Sequence, residues 1–384
     1  MAGAGKRKLI DTSSSDSLAD IQQAHDESPD LFLGYMGYDL KNQLENLSSN
    51  HTDSTDFPAT QFFVPEHILL FENDRLIIHS DSDPDKILVQ IMQATVKEAV
   101  DPRESDLTQD ISRDTYIENV NLLRKHIYEG DMYEINYCLH YALKNYGQPP
   151  ALLYDRLTAS SPMPFSCFFR LGDHYLVSAS PERFLKKEGN RLISQPIKGT
   201  ARRSQDPLED RRITRMLRND EKEQAENMMI VDLVRNDLAK SSITGSIKVE
   251  EIFGIYSFAY LHQMISTVTS TLAADTPFTS AIRHAFPMGS MTGAPKVKVM
   301  ELIEEFEDKK RGIYSGAAGF ITPAGDFDFN VVIRSLFGNL SNDSLRFSVG
   351  SAITYDSVPE LEYEECLLKA HAILKILRNL GMIK

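Results

Sequence analysis

The sequence predicts an α+β fold in which antiparallel β-sheets are covered by helices. Three observations carry that expectation. Apolar segments with strand character arrive in runs, at 165–171, 174–180 and 191–197, then at 312–321, 326–338 and 344–356. The later runs are joined by PAGD and NLSND, connections that suit neighbouring antiparallel strands. Helical periodicity is interspersed among the runs without the regular βαβ alternation of a parallel sheet.

Taken in order, residues 1–30 are polar and read as a mobile N-terminus. Residues 31–110 form a short N-terminal region whose FLGYMGYDL (32–40) and FFVPEHILLFENDRLIIHSD (62–81) look like strands with turns. The polar DPRESDLTQDISRD (101–114) reads as a linker, placing a boundary near 110 and the main domain at 111–384. The main domain opens with a helix in which Ile117, Val120, Leu123 and Ile127 fall at helical intervals. It stops at Gly130, a C-cap residue. EKEQAENMMIVDLVRNDLAK (221–240) reads as a second helix, and a last one runs from about Pro359 to Leu380.

Composition narrows the function classes. Of 384 residues, 42% are hydrophobic and 25% charged, which fits a soluble globular protein with a real core. No apolar run is long enough to cross a bilayer, and the N-terminus lacks the apolar stretch of a secretory signal. A net charge of −14 disfavours nucleic acid and anionic membranes as partners. Cys138, Cys167 and Cys366 are widely spaced and odd in number, which argues against a disulfide framework or a Cys-based zinc site. A reducing, cytoplasmic location is the expectation.

The stretch QPIKGTARR (195–203) sets Lys198 in a tight turn after an apolar strand. Either this is an ordinary loop charge, or an amine is being placed where reacting atoms sit. Two helices carry acids on apolar stripes. In the last helix Glu362, Glu365 and Lys369 share a stripe with Cys366, Ile373, Ile376 and Leu380; in the earlier one Glu226 and Asp237 share a stripe with Ile230, Leu233 and Val234. Acids in a first turn also favour the helix dipole. Carboxylates from two helices can instead share a divalent cation, and all-oxygen donors suit Mg2+. The loop FPMGSMTGAPK (286–296) lacks the GxxxxGK[ST] pattern, so it is no P-loop. Its helix start could face a carboxylate, or it could be a packing turn. Arg334, among apolar neighbours on an expected strand, could fork a carboxylate.

SPERF (180–184), PIKGT (196–200), AENMMIVDLVRND (225–237), FPMGSMTGAPK, VVIRSL and the LEYEECLLKA helix, in this order, resemble the chorismate-utilising enzymes over about 111–384. That family includes the anthranilate, aminodeoxychorismate, isochorismate and salicylate synthases. The resemblance implies a large α/β sandwich of antiparallel sheets with outer helices. Within it, PIKGT looks like the aminodeoxychorismate synthases, where anthranilate synthases have PIAGT. It therefore implies that chorismate and ammonia become 4-amino-4-deoxychorismate, a precursor of p-aminobenzoate and folate. The ammonia would come from a glutamine amidotransferase partner. The alternative is an anthranilate synthase component I.

On the same resemblance, Lys198 is the nucleophile and Glu182 the general acid that protonates the leaving hydroxyl. Glu226 and Glu365, with Glu362 beside them, are the Mg2+ ligands. Arg334, Lys369 and Gly350 hold the carboxylates of chorismate, and Gly199, Thr200, Gln263 and Ser351 belong to the same pocket. Lys198 would have to be neutral to attack. That means a pKa below the usual lysine value of about 10.4.

Three residues depart from the commonest pattern. Gln263 stands where many relatives have a histidine associated with pyruvate elimination. Glu134 stands where isochorismate and salicylate synthases have the lysine that activates water, which argues against water as nucleophile and leaves Glu134 without a role. Ser351 replaces a glycine, which a negative φ would allow. The short N-terminal region shows no tryptophan-sensing element.

Overall fold

A computed structural model describes residues 1–53, 56–95, 104–144 and 146–384. Two large antiparallel sheets face one another. The first has ten strands, in which Ile197–Arg202, Leu261–Thr271, Arg191–Gln195, Arg183–Glu188, Phe327–Val331, Ala317–Ile321, Phe32–Met36, Thr60–Val64 and Lys8–Ile10 lie side by side. The second has seven, with Gly293–Ala294, Glu134–Lys144, Ser344–Ile353, Ser335–Asn339, His174–Ser180 and Phe165–Leu171 in that order. The expected α+β class and sandwich are what the chain forms.

Turn chemistry sets the registers. Gly172 and Gly189 adopt positive φ at the tips of two-residue hairpins that pair Leu171 with His174 and Glu188 with Arg191. The expected first helix runs Arg113–Glu129. Ser112 caps its start by accepting from Thr115 N–H, and Gly130, at φ 87°, closes its end. The helix Glu221–Ala239 is capped by Asp220 in the same way, and the last helix spans Pro359–Asn379.

The alternation of side chains along the seven-stranded sheet explains the layers. Cys138, Leu176 and Phe337 face the ten-stranded sheet, in a core with Phe32, Phe62, Leu185 and Phe329. Tyr137, Leu139, Val177 and Phe347 face the other way, against the helices through Val120, Leu123, Ile373 and Leu377.

Residues 1–30 are a correction. They form strands at Ala2–Ala4 and Lys8–Ile10 and a helix at Ser17–Glu27, capped by Asp16. Leu18 and Ile21, one helical turn apart, are buried, and their burial outweighs the polar composition around them. The expected boundary near 110 does not separate the chain into independent units either, because Phe32–Met36 pairs directly with Ala317–Ile321. Of the expected linker, 101–103 lie outside the described residues; Thr108–Gln109 pairs with Glu134–Lys144. No helix among the described residues is long and apolar enough to cross a membrane.

Candidate active site

Lys198 lies at a break in register. Strand Ile197–Arg202 pairs with Leu261–Thr271 through Ile197↔Ile265 and Thr200↔Gln263, with a bulge between. Gly199 takes up the turn at φ 82°, and a side chain there would press on Glu223 and Leu217. The bulge buries the Lys198 side chain, and its Nζ meets Glu134 Oε1 at 2.5 Å and Glu226 Oε2 at 3.8 Å. Glu134 opens the strand Glu134–Lys144, so this ion pair joins the two sheets at one end of the sandwich.

Charge neutrality at Lys198, as expected from the sequence, is not what this geometry supports. Burial pulls the amine's pKa down, but Glu134, then Glu226, and the hydrogen bond to Glu134 outweigh it and hold the pKa above the usual lysine value. The expectation counted nearby cations; the neighbours are carboxylates.

Glu182, buried at the turn after His174–Ser180, is the reverse case. Desolvation raises its pKa to about 7, against the lowering effect of a 2.7 Å hydrogen bond donated by Ser290 and of the Lys198 charge. A carboxyl poised there can give up a proton near neutral pH. Glu226 is also raised to about 7, chiefly by burial.

The acids of the last helix reach the same place. Lys222 Nζ stands 3.7 Å from Glu226 Oε1 and 3.9 Å from Glu362 Oε1, bridging the two helices. Glu362 is buried and accepts a short hydrogen bond from Ser351 Oγ. Half-buried Glu365 pairs with Lys369 at 2.7 Å, and Lys369 Nζ also donates to Gly350 O at 2.8 Å. A side chain at Gly350 would meet Asn136 Oδ1 at 2.4 Å. Ser351 lies in regular strand without positive φ, as its substitution for glycine requires.

Asp237 does not join the cluster. It is held by Lys296 at 2.5 Å and Lys240 at 3.6 Å, farther along its helix. A tighter group, His126, Glu129 and Asp131, lies elsewhere, at the Gly130 cap. There the 2.7 Å His126–Asp131 pair accounts for it. Glu226, Glu362 and Glu365 do not close on one point as that group does. Their donor set nonetheless fits a hard cation: all three offer oxygen, and Glu226 Oε1 is buried without a hydrogen-bond donor among the described residues.

Arg334 is not on a strand. It occupies the bend between Phe327–Val331 and Ser335–Asn339 at φ 51°. Among the described residues no hydrogen bond or ion pair reaches its guanidinium. Gln263 is buried opposite Thr200, its Oε1 without a hydrogen-bond partner among the described residues, while Thr200 itself is exposed.

Sequence reasoning missed Ser290, Lys222 and the pair Arg311 and Glu307. Ser290 belongs to the glycine loop, whose buried residues pack so tightly that a side chain at Gly293 would strike Glu134 O at 2.0 Å. Lys222 stands four residues before Glu226, a helical spacing that could have been read. Buried Arg311 donates to Glu307, to Met291 O at 2.6 Å and to Asn136 O at 2.8 Å, tying the Ser290 loop to the Glu134 strand.

Buried carboxylates and a buried amine at one end of a two-sheet sandwich, with an arginine unpaired among the described residues, are groups suited to a small anionic substrate. The pattern of the chorismate binding enzymes matches residues 4–375, and the chain belongs to that family. The match extends well before residue 111, as the shared sheet requires. The chain is 33% identical to aminodeoxychorismate synthase component 1 of Escherichia coli over 94% of its length and 80% of that protein. It is equally identical, at 33%, to anthranilate synthase component 1 of Thermus thermophilus, over 92% and 79%. Anthranilate synthase component I from Streptococcus pneumoniae has the same fold, with a TM-score of 0.79 at 28% identity over 88% of this chain and 79% of that one.

Proposed function

We propose that the chain is an aminodeoxychorismate synthase, converting chorismate and ammonia to 4-amino-4-deoxychorismate and water through a covalent bond to Lys198. The observation that carries this reading is the buried Lys198 amine, held among Glu134, Glu226 and Glu182 at the end of the sandwich. The equal likeness to anthranilate synthases does not separate the two reactions. The amine supports amination at C4, since an alanine at this position would leave C2 open to ammonia.

The chain's own residues account for the steps. Lys198 first sheds its proton to the surrounding carboxylates. Its lone pair then attacks ring carbon C2, both conjugated ring double bonds shift by one position, and the C4–O bond breaks. Glu182, protonated near neutral pH, gives its proton to the departing hydroxyl, which leaves as water. Ammonia next bonds to C4 and gives its surplus proton to Glu182, the two double bonds return, and the C2–N bond to Lys198 breaks, freeing the amine to take its proton back from the carboxylates. Two displacements leave nitrogen at C4 with retained geometry. Arg334 and Lys369 supply positive charge for the substrate carboxylates. Glu226, Glu362 and Glu365 would hold Mg2+, which when bound balances the ring carboxylate's charge. Ammonia would come from a glutamine amidotransferase partner, in keeping with the component 1 naming of the relatives.

The test supplies chorismate, Mg2+ and ammonium, with and without an aminodeoxychorismate lyase. Lyase-dependent p-aminobenzoate from the wild type, and its loss in Lys198→Ala, is the expected result. Fluorescent anthranilate from the wild type would overturn the assignment.

A further inference from the structure

A row of serine, histidine and aspartate lies outside the candidate active site. Strand Lys248–Ser257 pairs with Leu261–Thr271, and Ser257 stands opposite His262. In the next pair Phe258 N–H bonds to Leu261 O at 2.7 Å, so Ser257 and His262 form a pair without main-chain bonds, where side chains come closest. Ser257 Oγ lies 2.8 Å from His262 Nδ1, and His262 Nε2 lies 2.9 Å from Asp210 Oδ1, on helix Pro207–Arg218. Strand alternation turns His262 away from the side that Gln263 takes.

Each member has the state that its place in the row requires. Asp210 stays ionised, because Arg203 donates to its Oδ2 through Nε at 3.2 Å and Nη2 at 2.9 Å, and Ser204 N–H donates to Oδ1 at 2.9 Å. An ionised carboxylate only accepts. In the neutral ring Nε2 therefore carries the proton, and Nδ1 is left to accept from the Ser257 hydroxyl. Arg203 Nη1 also donates to Phe258 O at 3.1 Å, which ties Asp210 to the hairpin that carries Ser257. His262 is buried while Ser257 is exposed, so the base is shielded and the hydroxyl is open to a ligand. Among the described residues strand Lys248–Ser257 pairs with one strand only, and the Ser257 main-chain N–H points to its free edge.

We propose that Ser257, His262 and Asp210 form a second nucleophilic site, at which Ser257 Oγ accepts the acyl group of an activated ester. Such a site is defined by geometry and roles rather than by fold. Here the two ring nitrogens exchange the roles they hold in serine proteases, and the proton path is the same. Ser257 Oγ bonds to the carbonyl carbon as its proton passes to His262 Nδ1, and Asp210 balances the imidazolium charge. The free Ser257 N–H is the available donor to the oxygen that gains charge. The ester C–O bond breaks, and the leaving alcohol takes the proton from Nδ1. Water then adds to the acyl carbon and gives a proton to Nδ1; the bond to Ser257 breaks and the hydroxyl regains that proton. Ester and water become acid and alcohol.

The test treats the full chain with an alkyl fluorophosphonate, which leaves a phosphonyl group on an activated serine as fluoride departs, and separately with p-nitrophenyl acetate. Peptide mass mapping is expected to find the phosphonyl adduct on Ser257, forming at least about tenfold more slowly in His262→Gln. Nitrophenolate release should exceed one equivalent per chain, and Ser257→Ala should lose that excess. Chorismate turnover by Ser257→Ala should stay within twofold of the wild type, which separates this site from the aminating one. An unlabelled Ser257, or labelling as fast in His262→Gln as in the wild type, overturns the proposal. Where His262→Gln folds poorly, the wild type alone decides: an adduct at Ser257 that forms no faster than at the exposed Ser13 and Ser14 makes His262 a packing residue and overturns the site.

Discussion

Ser290 Oγ donates a 2.7 Å hydrogen bond to Glu182 Oε1 inside a site closed to water. This bond favours the charged carboxylate, whereas burial favours the acid, and burial prevails at about 7. In the proposed mechanism the acid form gives the proton, so kcat/KM should fall about tenfold per pH unit above that value. Ser290→Ala removes the bond that stabilises the charge. Its alkaline limb should therefore move to higher pH, as a pH–rate profile would reveal; a limb that moves to lower pH contradicts the assignment.

Arg311 and Glu307 form a buried fork behind the site, with Cys138 N–H also donating to Glu307. Burial would raise the Glu307 pKa, but the guanidinium overrides it and holds the pKa at about 2. A depressed carboxylate pKa gives stability that is present above about pH 4.5 and lost as pH falls toward 2. Arg311→Met should destabilise the fold by about 3–5 kcal/mol in urea unfolding. The Arg311→Met/Glu307→Met pair should recover most of that loss but not the activity. Without the fork, Met291 O and Asn136 O have no tie between the Ser290 loop and the Glu134 strand.

Arg334 combines a guanidinium unpaired among the described residues with a left-handed backbone, which costs an ordinary residue about 1–2 kcal/mol. Stability and binding should therefore separate at this position. Arg334→Gly is expected to melt no lower than the wild type, yet its chorismate KM should rise about 100-fold, as for a lost pair of charged hydrogen bonds. A drop in melting temperature with unchanged KM would assign Arg334 to the fold alone.

Ser351 is the only hydrogen-bond donor to Glu362 among the described residues, and it comes from the neighbouring strand. Outer groups of this kind tune metal affinity by about 10–100-fold. If Glu362 holds Mg2+ as proposed, Ser351→Ala should weaken Mg2+ binding by about tenfold in calorimetry and leave the chorismate KM within twofold. Unaltered Mg2+ affinity would remove Glu362 from the ligand set.

The sandwich was legible because its strands announce themselves in short-turned runs. The helices were legible because Ile117, Val120, Leu123 and Ile127 keep a 3.6-residue period up to a capping glycine. Residues 1–30 were misread because composition weighs every residue alike, whereas the helix docks through four buried residues, Ser17, Leu18, Ile21 and His25. Within the site, motif residues pointed to Lys198, Glu182, Glu226 and Glu362. What could not be read was the company each keeps. The pairing of Glu134 with Lys198 joins residues 64 positions apart across two sheets, and no local period records it. That pairing reversed the expected charge state of the lysine.

Strand Phe32–Met36 lies along Ala317–Ile321 in the middle of the ten-stranded sheet, so the early stretch of the chain is no detachable appendage. A proteolytic fragment starting near residue 111 would bare the main chain of Ala317, Ala318, Gly319, Phe320 and Ile321. No charge along those five residues would discourage a neighbour from adding its own strand. Such a fragment should clump rather than serve as a minimal catalyst, which makes the amino-terminal strands a safeguard against self-association.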